Sequence, residues 1–128
     1  MTRRFTVALP VAAVVAAGGI GLVGHAIATP STSTTAGTSD RSQIYAAVAA
    51  NPALRGWKAT DWRLEHVEVT AAGWARATVH ATHGQTDDAT AVLHRARGRW
   101  TVSDLGTAQV GCGVVPTPVL ESLRLGDC

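Results

Sequence analysis

His80 and His83 stand three residues apart and are followed by Asp87 and Asp88. Imidazole and carboxylate are the donor types that zinc and similar ions take, so these four are candidate metal ligands. The spacing works against chelation if the segment is a strand, because alternate side chains point to opposite faces and a three-residue offset separates the two imidazoles. Chelation then needs His83 to have turned into a loop already. Without a metal, the same residues read as a solvated hairpin tip.

Two further histidines depend on strand register. If Ala89, Ala91 and Leu93 face the core, His94 points outward; if Thr90 and Val92 do, His94 points inward and needs a hydrogen-bond partner. The first register is expected. His66, beside Glu65, reads as a surface residue.

Trp57, Trp62, Trp74 and Trp100 are many tryptophans for so short a chain. Trp57 and Trp62 flank a loop and are the candidate ligand-binding pair, a platform for a sugar ring or a protein partner; the alternative is packing across the open end of a sheet. Trp100 precedes Val102 at strand spacing and is expected in the core, its indole N–H seeking one acceptor. No Gly-x-Ser-x-Gly and no paired carboxylates on an apolar face are found, so no catalytic residue is assigned. Asp104, before Leu105-Gly106-Thr107, is expected to cap a turn through backbone N–H groups. No cofactor is implied.

These residues need elements to hold them. Asp40 with Gln43 resembles a capping box, and Ile44, Ala47 and Val48 recur at helical spacing until Asn51-Pro52 stops the run. Trp62 to Thr70, Trp74 to Thr82, Ala89 to Ala96 and Arg99 to Leu105 read as strands, and their short connections favour antiparallel neighbours. Thr117-Pro118 opens a short last helix with Val119, Leu120 and Leu123 on one stripe. The expected fold class is α+β: a short N-terminal helix on a four-stranded antiparallel meander, with a disulfide-tied C-terminal helix. That disulfide joins Cys112 to Cys128, the chain's two cysteines.

The start of the chain carries an address. Arg3-Arg4, the apolar run Phe5 to Val23 and then Ala26-Ile27-Ala28 have the three parts of a secretory signal, with cleavage expected after Ala28. An uncleaved anchor is the alternative, since the run approaches the ~20 residues that span a bilayer. Residues 1–28 are thus read as signal peptide, 29–39 as a flexible Ser/Thr-rich linker, and 40–128 as one small domain. The chain's formal charge of +2 comes from Arg3 and Arg4. The remainder is balanced and has no basic stripe, which disfavours nucleic acid as a partner. Contact with a membrane is expected only through the signal segment if it is uncleaved.

The tail Gly98-Arg99-Trp100-Thr101-Val102-Ser103-Asp104-Leu105-Gly106-Thr107, then Gly111-Cys112-Gly113, Pro116 and the terminal Cys128, resembles a group of uncharacterised secreted proteins of high-GC Gram-positive bacteria. The resemblance implies secretion and attaches no activity. The helix followed by a meander also looks like cystatin-like or nuclear-transport-factor-like sheets, which is a likeness of architecture. The functional expectation is an exported, non-catalytic module that binds a protein or small ligand at the cell envelope or outside it. The alternative is a small enzyme or metal-binding protein using His80, His83, Asp87 and Asp88.

Overall fold

A computed structural model describes residues 32–128, and the expected signal segment and cleavage site lie outside them. The described chain is α+β: five antiparallel strands in sequence order, β1 (Thr34–Thr35), β2 (Trp62–Val69), β3 (Trp74–Ala81), β4 (Ala89–Ala96) and β5 (Arg99–Gly106), with two helices, α1 (Thr38–Ala49) and α2 (Thr117–Ser122). No helix among the described residues is long and apolar enough to cross a membrane.

The fifth strand corrects the four-stranded expectation, and it comes from the segment read as a flexible linker. Thr34 and Thr35 pair with Val69 and Glu68, and the Ala36 N–H donates to the Val67 carbonyl at 2.9 Å. Polar composition argued against burial, but an edge strand needs only backbone pairing with a neighbour, and threonine suits a pleated edge. The helix likewise begins earlier than expected. Its N-cap is Gly37, so Asp40 lies inside the first turn and Gln43 bonds Ser39 instead of closing a capping box.

One face of the sheet packs on α1 through Ile44 and Val48, both fully buried. The stripe recurs at helical spacing as expected. The sheet contributes Trp62, Leu64, Val67, Ala75, Ala77, Leu93 and Trp100 to this core. Strict alternation cannot put both Leu64 and Val67 on one face. The conflict is resolved by a bulge: Glu65 pairs with Thr78 and Glu68 with Arg76, leaving His66 and Val67 opposite Ala77 alone. His66 takes the left-handed conformation, φ 47°, and stays exposed. A second irregularity at Ser103 does the same for β5. Val92 pairs with Asp104 and Leu93 with Val102, which turns Trp100, Val102 and Leu105 all toward the α1 side.

The opposite face has a core of its own. Val92 is fully buried there beneath Val110, Val115, Val119 and Leu123 of the C-terminal segment. Ala89, Ala91 and Leu93 face α1, as the expected register has it, but His94 is not simply solvated: it packs on Trp74 with ring centroids 4.3 Å apart. The Cys112–Cys128 disulfide closes this segment, with Cα atoms 5.6 Å apart. Arg76 donates to the carbonyls of Leu123 and Arg124 at 3.0 and 3.2 Å, satisfying groups that the end of α2 leaves free. Arg124 in turn pairs with Glu68 of β2.

Candidate ligand-binding site

Asn51 starts a single 3-10 turn, Pro52–Leu54, by accepting the Ala53 N–H on its side chain at 2.9 Å. Proline in the first turn has no N–H to leave unsatisfied. The chain then reverses at Gly56, φ 87°, which places Trp57 beside the sheet, its N–H donating to the Leu54 carbonyl at 3.0 Å. The next loop is fastened to the β3–β4 hairpin. Thr82 donates its N–H to the Asp61 carbonyl at 2.9 Å and its hydroxyl to the Thr60 carbonyl at 2.6 Å, while the Gln85 amide reaches the Asp61 carbonyl at 3.0 Å.

This arrangement leaves a cleft of about 230 Å³ at the open end of the α1-side face. Its floor is Leu54, Val79, Ala81, Ala89 and Leu105; Trp57 forms a wall; Thr86, Asp87 and Thr107 stand at the mouth. A dry cavity of about 150 Å³ accepts benzene, so the cleft has room for a ring-sized apolar group. Apolar lining with a few polar groups at the rim is the usual make-up of small-molecule sites.

The structure separates the expected tryptophan pair. Trp57 is half-buried and lines the cleft, but Trp62 is 4% exposed and stacks on Tyr45 at 4.7 Å, so it belongs to the core and not to a platform. The floor residues were not singled out in the sequence. Val79, Ala81 and Ala89 carry only the ordinary alternation of strands, and nothing local distinguishes a core position beneath a helix from one left uncovered.

The four candidate metal ligands are also divided. Asp88 lies across from His80 on the face away from α1, where Oδ1 is 2.7 Å from the imidazole Nδ1. Asp87, its chain neighbour, lines the cleft on the other face. His83 sits exposed in the turn, its Nδ1 3.2 Å from the Thr82 hydroxyl and 4.0 Å from the Asp61 carboxylate. Among the described residues, no group of three or more His, Cys, Asp or Glu is placed to hold a metal.

Beside His80 on β2, Arg63 bonds Glu65 at 2.6 Å, and this hydrogen bond holds the half-buried Glu65 carboxyl below its ordinary pKa. Asp104 proves to be a structural acid: one oxygen accepts the Leu105 N–H at 2.9 Å and the other the Gly111 N–H at 2.7 Å. Comparison of the chain with protein-family models, with curated proteins and with solved structures finds no match.

Proposed function

We propose that the protein is an exported, non-catalytic binding module and that the Trp57 cleft is its ligand site. The observation that carries the reading is an apolar hollow left open between three elements, the 3-10 turn, the β3–β4 hairpin and the end of β5, at the edge of the α1-side core. Solvent-facing apolar concavity costs stability that ordinary packing would recover, and ligand contact is the usual reason for retaining it. The secretory features of residues 1–28 and the disulfide support action at the envelope or outside the cell, where such bonds persist.

The test is a titration with ring-sized probes such as benzyl alcohol and indole, followed through the Trp57 indole N–H resonance. Saturable shifts of that resonance, accompanied by shifts of the Val79 and Ala89 backbone amides that are lost in Trp57→Ala, support the reading. No shift with any ring-sized probe at millimolar concentration refutes it.

A second reading, an activity centred on His80, has one observation in its favour. The Asp88 carboxylate at Nδ1 fixes the ring and leaves Nε2 to act as an acceptor, the orientation that a general base requires. A metal-dependent form of that reading predicts that chelator lowers the melting temperature and that the His80→Ala, His83→Ala double variant loses this response. An unchanged melt excludes a structural metal there.

A further inference from the structure

We propose that the cleft recognises an organic cation, an apolar group of about ring size bearing an amine or alkylammonium, with the charge held between Asp87 and Trp57. The inference rests on the reading of the cleft as a ligand site and names the chemistry of what enters it.

Asp87 is the sole charged residue among those lining the cleft. It is also the carboxylate in this region left without a protein partner among the described residues. Asp88 is engaged by His80 at 2.7 Å, and Asp61 by the Lys58 N–H at 2.8 Å, whereas no hydrogen bond or ion pair takes Asp87. The two neighbouring aspartates have opposite fates because alternation along the chain entering β4 sends Asp88 to the His80 face and Asp87 to the cleft. Arg55 and Lys58 lie close to Trp57 in sequence, but neither lines the cleft, and among the described residues no ion pair joins a cation to Asp87.

Trp57 adds the second half of the site. An indole face attracts a cation through its quadrupole while its apolar body covers the rest of the ligand. The floor of Leu54, Val79 and Leu105 has nothing to offer an ion, so the charge must sit at the rim and the apolar part inside. A neutral ring gains only the floor. An anion of the same shape meets Asp87 and is repelled.

The experiment compares benzylammonium, benzyl alcohol and benzoate on the disulfide-bonded chain beginning at Thr29, each titrated against the Trp57 indole resonance at neutral pH. Benzylammonium is expected to bind about fivefold more tightly than benzyl alcohol and benzoate more weakly than either, as an exposed ion pair and a cation–π contact together allow. Asp87→Asn, at an exposed position, should bring benzylammonium to the level that benzyl alcohol shows on the same variant. Raising salt to about 1 M should erase the same preference. Equal binding of benzylammonium and benzyl alcohol, or a preference that survives Asp87→Asn, overturns the cation inference and leaves the cleft reading in place. If none of the three shifts Trp57, the cleft reading falls and this inference falls with it.

Discussion

The Asp40 carboxylate accepts the indole Nε1–H of Trp100 at 3.1 Å, joining the first turn of α1 to β5 across 60 positions of sequence. The same oxygen takes Arg95 at 3.2 Å, and the Arg95 guanidinium lies over the Trp100 ring, 5.2 Å from its centroid. A buried indole needs one acceptor, and here a helix residue supplies it, so the contact both satisfies the ring and sets how α1 lies on the sheet. Asp40→Ala leaves the N–H unpaired and should cost about 1–3 kcal/mol in urea unfolding, with Asp40→Asn recovering part of it. Trp100→Ala should cost about 3–5 kcal/mol. A near-native midpoint for either alanine variant would show that the clamp carries no weight.

Gly111 is the second point where one residue governs the fold. Its φ is 88°, and a Cβ there would lie 3.0 Å from Val115 Cγ2 and 3.1 Å from Leu120 Cδ2, in the core beneath the C-terminal segment. Gly111→Ala therefore combines left-handed strain with overpacking and should destabilise by roughly 1–3 kcal/mol. Asp104→Ala removes the acceptor of the Gly111 N–H and should act in the same direction. Hydrogen exchange of residues 110–125 distinguishes local loosening, the expected outcome, from global unfolding.

The Cys112–Cys128 disulfide closes a loop of 16 positions, for which the chain-entropy model gives about 3 kcal/mol. The native protein should take up no alkylating reagent without reductant. The double variant Cys112→Ser, Cys128→Ser should melt at lower temperature, with protection lost first around Val119 and Leu123. Stoichiometric alkylation of the untreated protein would contradict the pairing.

Processing after Ala28 would leave residues 29–33 ahead of β1, and intact mass of the secreted species should place its first residue at Thr29. A chain shortened to begin at Asp40 lacks β1, the Ala36-to-Val67 hydrogen bond and the Gly37 carbonyl that accepts the Arg41 N–H at 2.9 Å. With each such bond worth about 1 kcal/mol net, the shortened chain should be roughly 2 kcal/mol less stable than one starting at Thr29. Equal unfolding midpoints would show that the edge strand contributes nothing.

Local pattern along the chain is enough for the elements themselves: the stripe of Ile44, Ala47 and Val48 on α1, the four long strands with their turns, Trp100 in the core, and the pairing of the two cysteines. These are properties of short-range periodicity and of composition, and they survive whatever surrounds them. Tertiary structure decided the rest. Plain alternation assigns Leu64 and Val67 to opposite faces, and the bulge at His66 that brings both into one core depends on which residues of β3 stand opposite. Thr34 and Thr35 become a strand only because β2 offers an edge. Trp62 is core because Tyr45 stacks on it, whereas Trp57 packs against the core's edge, half-buried, and lines the cleft. The cleft joins Leu54, Val79 and Leu105 from three separate elements, and a hollow of that kind exists only after long-range packing has left a surface uncovered, which no spacing along the chain records.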